Sequence, residues 1–113
     1  YINMCEQMKV RQIASNMTEV VKVVESDDSR GKYYILVSYQ TPVVIVAETK
    51  YKNKSIQNVY INGKYYSKTT TSHINKYLRN EWNFSDKAIK EFPRVNKFGV
   101  LNGNGEAVSI IDS

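Results

Sequence analysis

The sequence predicts an α+β fold: an antiparallel β-meander, then two helices, then a C-terminal β-hairpin. Three observations carry that expectation. Two consecutive runs, Lys32 to Tyr39 and Val43 to Glu48, are apolar on both faces, the pattern of central strands covered by helix on at least one side. Asn62-Gly63 stands between β-prone residues and is the turn chemistry of a two-residue hairpin. Ile74, Tyr77, Leu78 and Trp82 recur at helical spacing and draw one apolar stripe.

Taken in order, residues 8–14 mix polar and apolar positions and read as a short strand or a frayed helix, with a turn at Ser15-Asn16-Met17-Thr18. Glu19 to Glu25 is rich in β-branched Val20, Val21, Val23 and Val24 and reads as a strand. The polar stretch 26–31 reads as a loop, with Gly31 free to take a positive φ. In the next strand Tyr33, Ile35, Val37 and Tyr39 share one face, and Tyr34, Leu36 and Ser38 the other. Gln40-Thr41-Pro42 makes the connection to Val43–Glu48, where proline is tolerated because the ladder is interrupted. Around Asn62-Gly63 the hairpin register pairs Ile61 with Lys64, Tyr60 with Tyr65 and Val59 with Tyr66. Val59, Ile61 and Tyr66 then face the core, while Tyr60 and Tyr65 share an open face.

Thr69-Thr70-Thr71-Ser72 ends the sheet and offers N-cap oxygens for an amphipathic helix over 72–82. The other flank of that helix carries His73, Lys76, Arg79 and Asn80. A second helix over 86–92 is capped by Ser85 and stopped by Pro93. Lys97 to Leu101 and Glu106 to Ile111, around Asn102-Gly103-Asn104-Gly105, form the last hairpin. Residues 8–113 are read as one domain, with 1–7 as additions ahead of a natural start at Met8.

At 113 residues, 42% hydrophobic and 24% charged, the composition is that of an ordinary globular domain. The longest apolar run, Val43 to Ala47, falls far short of the roughly 20 residues of a membrane-spanning helix, and no leader segment is expected. Cys5 is the only cysteine, which excludes an internal disulfide and favours a reducing, cytoplasmic setting. Sixteen Lys and Arg against eleven Asp and Glu give +5, a charge suited to acidic partners and to nucleic acid first.

Catalytic apparatus is sparse. His73 is the only histidine, so a metal site would have to be built from one imidazole and scattered carboxylates. There is no phosphate-binding glycine loop and no nucleophile elbow, so the chain reads as non-enzymatic, without cofactor or metal. Two binding candidates remain. His73, placed in the first turn of the helix, either contacts an anion at the helix N-terminus or hydrogen-bonds the Thr-rich loop, and the second is favoured. Tyr60 and Tyr65, near Lys64, Lys68 and the basic run Lys50-Tyr51-Lys52-Asn53-Lys54, either stack bases and neutralise phosphates or form an edge hairpin beside a solvated loop. Lys76 and Arg79 complete this basic, tyrosine-bearing surface.

Three stretches together carry a resemblance. Asn16-Met17-Thr18-Glu19, Ser38-Tyr39-Gln40-Thr41-Pro42-Val43 and Tyr66-Ser67-Lys68-Thr69-Thr70-Thr71-Ser72-His73 resemble a family of small phage and prophage proteins of unknown function. Thr71 stands where that family often has serine. The resemblance implies provenance in a phage-type accessory protein inside a bacterial cell; it assigns no site residues. The resulting expectation is a binder of nucleic acid or nucleoprotein, with a protein-binding inhibitor of a host enzyme or defence system as the alternative.

Overall fold

The structure, a computed structural model, describes residues 5–25, 28–63, 67–95, 100–101 and 107–108. Five long strands follow one another as an antiparallel meander: β1 Cys5–Ala14, β2 Met17–Glu25, β3 Ser29–Ser38, β4 Thr41–Tyr51 and β5 Lys54–Asn62. Then come α1 Lys68–Lys76, a π-helical turn Tyr77–Glu81, and α2 Asp86–Glu91. A short β6 Arg94–Val95 returns beside β5 in parallel, completing a six-stranded sheet in the order β1-β2-β3-β4-β5-β6. A separate pair, β7 Val100–Leu101 and β8 Ala107–Val108, is antiparallel, and β7 lies against β4.

The α+β expectation is therefore corrected. Among the described residues the molecule is mostly β, with a mixed sheet and little helix. The meander order and the C-terminal strand pair hold in outline, but the strands are longer than the sequence pattern suggests, and the first helical segment starts earlier, at Lys68, and turns π-helical from Tyr77. The ambiguous segment 8–14 is strand because β2 supplies it with a partner along its whole length. The basic run 50–54 is not a long loop: β4 and β5 continue through it and meet at a two-residue turn, Lys52-Asn53, with Lys52 at φ 54. The Asn62-Gly63 hairpin is corrected in part. The Ile61 N–H donates to Pro93 O at 3.0 Å and the Gly63 N–H to Val95 O at 2.9 Å, so β6 occupies the edge where a return strand would pair. Lys64, Tyr65 and Tyr66 lie outside the described residues.

The helices cover one side of the sheet. Leu36, Val43, Val44, Val46, Val59 and Ile61 pack against Ile74, Tyr77, Leu78 and Ile89, all buried. A bulge makes this possible on β4: Val37 pairs with Pro42 but Leu36 with Val44, so Val43 is an extra residue, and both valines join the helix-side core. On the other side Tyr33, Ile35, Ala47 and Ile45 are buried, with Val20, Val24, Val37 and Tyr60 packed around them.

Ser67, not the threonine run, caps α1: its Oγ accepts from the Thr70 N–H at 3.4 Å, which places Thr69 to Ser72 inside the helix. Ser85 caps α2, accepting from the Ala88 N–H at 3.2 Å. The end of α2 is held by Arg94, whose Nη1 donates to Ile89 O at 2.8 Å and Lys90 O at 3.1 Å, a cation at the negative end of the helix. The π turn closes with Asn83 at φ 58, its N–H bonded to Arg79 O.

Gly31 is in β3, not in a loop, and its role is close approach rather than positive φ. The Tyr33 ring lies over it, and a Cβ at position 31 would stand 2.7 Å from Tyr33 Cζ and 2.8 Å from Cε2. Gly31→Ala should therefore cost about 1–2 kcal/mol by forcing the buried tyrosine out of place. Chemical denaturation reads this directly, and an unchanged midpoint would show that Tyr33 can swing clear.

Candidate functional site

The three stretches that carry the family resemblance converge at one end of the sheet. Asn16, at φ 61 in the β1–β2 turn, accepts through its carbonyl from the Tyr39 N–H at 2.8 Å. Tyr39 itself sits at φ 58 in the β3–β4 turn, a conformation that costs a bulky residue about 1–2 kcal/mol. Its exposed ring lies 5.7 Å from the His73 ring. His73 is buried in α1, and Nδ1 is 2.7 Å from Ser38 Oγ on β3; the same hydroxyl stands 3.4 Å from Thr70 Oγ1.

One turn on, Tyr77 donates its hydroxyl to Glu19 Oε2 at 2.6 Å, and Arg11 Nη2 donates to Glu19 Oε1 at 3.0 Å. Burial first, and then the Glu19 carboxylate, push the Tyr77 phenol far above its ordinary range. The hydrogen bond that Arg11 donates to Glu19, and then the carboxylate's charge, raise the Arg11 pKa in turn. The buried Trp82 Nε1–H has no partner of ordinary hydrogen-bond geometry; the ring packs edge-on to Tyr34 with centroids 4.7 Å apart.

The geometry around His73 fits the hydrogen-bonding reading better than the anion-contact one. The residue is in the second turn of α1, pointing into the sheet, and so cannot present itself at a helix N-terminus. It ties helix to sheet, and its partner is Ser38 rather than the Thr-rich stretch alone. Desolvation first, then the charge of Lys76, lower its pKa below the ordinary value near 6.5. The unfolded chain thus binds a proton more readily, so the stability this histidine contributes is complete above about 6.5 and is lost as pH falls through that value toward the folded pKa. The thermal midpoint should drop between pH 7.5 and 5.5, and His73→Leu should flatten that drop; an equal drop in the variant would assign it to other groups.

The basic residues do not gather on one surface. Lys50, Lys52 and Lys54 stand at the β4–β5 tip, which the Lys52 N–H fastens to Asp28 O at 3.0 Å. Lys68, His73, Lys76 and Arg79 belong to the helical layer. Since Ser38 and Ser29 are nine residues apart on β3 and Ser29 pairs with Tyr51, the His73 end and the lysine tip are separated by roughly 30 Å. Arg79 is also paired with Asp86 at 3.0 Å. Tyr60 lies on the face away from the helices, half-buried beside Ile45, and burial raises its phenol pKa. Tyr65 and Lys64 lie outside the described residues.

What the structure does bring together is a set of which the sequence reading named Lys50 and Lys52 but missed Arg30 and Lys32. The helices cover the half of the sheet nearest Ser38; α1 and the π turn reach Trp82 against Tyr34, and the strands run on beyond. On the helix side of that uncovered half, Arg30 is directly opposite Lys50 across β3 and β4. Lys32 follows on the same face, with Nζ 5.1 Å from the Tyr34 ring centroid. Lys52 Nζ lies 5.4 Å from the Tyr51 ring at the tip. Two carboxylates share this face: Glu25, paired with Arg30 at 3.1 Å in an exposed contact that contributes little, and Glu48, directly opposite Lys32. Among the described residues no three His, Cys, Asp or Glu side chains gather into a metal site.

A profile for a protein family of unknown function, DUF8033, matches residues 8–92. The chain belongs to that family. The DUF8033 match runs from β1 to the end of α2, so it contains both the His73 end and the open basic end. No curated protein and no solved structure shows a significant match to the chain. No described helix is long and apolar enough to cross a membrane.

Proposed function

We propose that this DUF8033 protein is a non-enzymatic nucleic-acid-binding protein, and that it binds through the open basic end of its sheet. The observation that carries the reading is the cross-strand opposition of Arg30 and Lys50. Like charges directly opposite on a sheet face repel, and the arrangement becomes favourable when a phosphate lies between them. Lys32 follows on the same face, beside the Tyr34 ring and opposite Glu48, and Lys52 and Lys54 add charge at the tip. The spread of contacts along a sheet suits a backbone-tracking, sequence-tolerant mode rather than base readout in a groove. The resemblance to phage and prophage proteins supports an accessory role in a bacterial cell. Binding is tested by anisotropy of labelled single- and double-stranded oligonucleotides at two salt concentrations. The expected result is micromolar affinity that weakens steeply with salt; no binding at low salt would end the proposal.

A protein partner is the second reading, and one observation favours it: Tyr51 and Ile56, 48% and 56% exposed, flank the face away from the helices. The two modes differ in salt dependence, since an apolar docking surface loses little affinity between low and moderate salt.

A further inference from the structure

The outer edge of β1 is the least explained feature of the sheet. Over Cys5–Ala14 it pairs with β2 on one side, and among the described residues nothing pairs with the other. Edge strands of this length are normally shortened, bulged, interrupted by proline or covered. Here β1 contains no proline, and its only register irregularity comes at the end, between Gln12 and Ala14. Two large apolar side chains, Met8 and Val10, stand 59% and 66% exposed on it. By register they share the face of Lys22 and Val20, and so continue the apolar layer around Tyr33, Ile35 and Ile45 outward to the edge.

We propose that β1 pairs with β1 of a second copy, antiparallel about a twofold axis at Met8, to make one sheet continuous across two protomers. A twofold axis normal to the sheet must pass through a residue, because facing residues have to lie on the same side of the sheet. The possible centres are not equivalent. Centring on Lys9 sets lysine against lysine, and centring on Val10 sets Lys9 against Arg11 of the other copy; both place like charges in register. Centring on Met8 sets Met8 against Met8 and Gln7 against Lys9, with no like-charge pair between Gln7 and Lys9 on either side of the axis. Arg11 is turned inward to Glu19 and Glu81, at 3.0 and 3.7 Å, and is not displaced by this pairing. The seam joins the apolar faces of the two copies through their methionines, so the same contact that satisfies the edge also covers its exposed side chains.

The test is the oligomeric state and the register together. Sedimentation at tens of micromolar should give a dimer, and Met8→Lys, which faces two cations on the axis, should give a monomer with an unchanged circular dichroism spectrum. In a Cys5→Ser background, Met8→Cys should form an intermolecular disulfide under mild oxidation, because the two Cβ atoms face each other, whereas Gln12→Cys should not. A wild-type monomer at that concentration overturns the proposal. So does a dimer that persists in Met8→Lys and does not cross-link through Met8→Cys, since its contact would then lie elsewhere. Neither outcome depends on nucleic-acid binding, which is read separately.

Discussion

Glu19→Ala should lower stability by about 2–3 kcal/mol, because it leaves the Tyr77 hydroxyl buried without an acceptor. For a domain of this size the thermal midpoint then falls by roughly 10 °C. The carboxylate joins three elements: Glu19 comes from β2, Arg11 from β1 and Tyr77 from the junction of α1 and the π turn. Its two oxygens have separate jobs. Oε1 takes the exposed guanidinium, a surface contact of small value, while Oε2 takes the buried phenol, and that bond carries most of the effect.

The comparison that isolates the bond is a double-mutant cycle. Tyr77→Phe leaves the Glu19 carboxylate short of a donor and should also cost more than 1 kcal/mol. Glu19→Leu with Tyr77→Phe removes donor and acceptor together, and the loss should be well below the sum of the two single losses. Additive losses would mean that the two groups do not interact, and that the helix is held on the sheet by the packing of Leu78 and Ile74 and by the His73–Ser38 contact.

The sheet was legible in the sequence where side chains alternate or are wholly apolar. Val20 to Val24, Tyr33 to Val37 and Val43 to Ala47 are all strand, and the faces assigned to Leu36 and Ile35 are the ones observed. It was illegible where strands run out into solvent, because Thr49 to Gln57 has no hydrophobic period and takes its strand form from its neighbours across the ladder. The helix start was misplaced because β-branched threonines suggest sheet; inside α1, Thr70 instead turns its hydroxyl toward Ser67 and Ser38. His73 was visible as a singular residue, but its burial depends on the docking of α1 over Ser38, a contact across 35 positions of sequence.

The basic site was hidden by a single residue. From the Ser38–Thr41 pair at the turn, an unbroken ladder would set Arg30 against Thr49. The bulge at Val43 advances β4 by one position, and Arg30 meets Lys50 instead. Bulges leave little trace in composition, so neither charge count nor spacing could place those two cations together.

Lys50→Glu follows from that register and should separate binding from stability. Opposite Arg30, a glutamate replaces repulsion by an ion pair, and the fold should gain a few tenths of a kcal/mol, up to about 1. Nucleic-acid affinity should move the other way. Losing one phosphate contact reduces the slope of log K against log salt by about 0.9 on duplex or about 0.7 on single strands, and reversing the charge adds repulsion to that loss. Removing all four cations in Arg30→Ala/Lys32→Ala/Lys50→Ala/Lys52→Ala should weaken binding about a hundredfold or more near 0.1 M salt. Lys68→Ala/Lys76→Ala, on the helical layer, changes net charge without touching those four and should cost much less. If the two sets weaken binding equally, the protein attracts nucleic acid by its overall charge and the opposition of Arg30 and Lys50 has no binding role. If Lys50→Glu stabilises the fold while binding fails, the repulsion between those strands is a cost that the protein carries for its ligand.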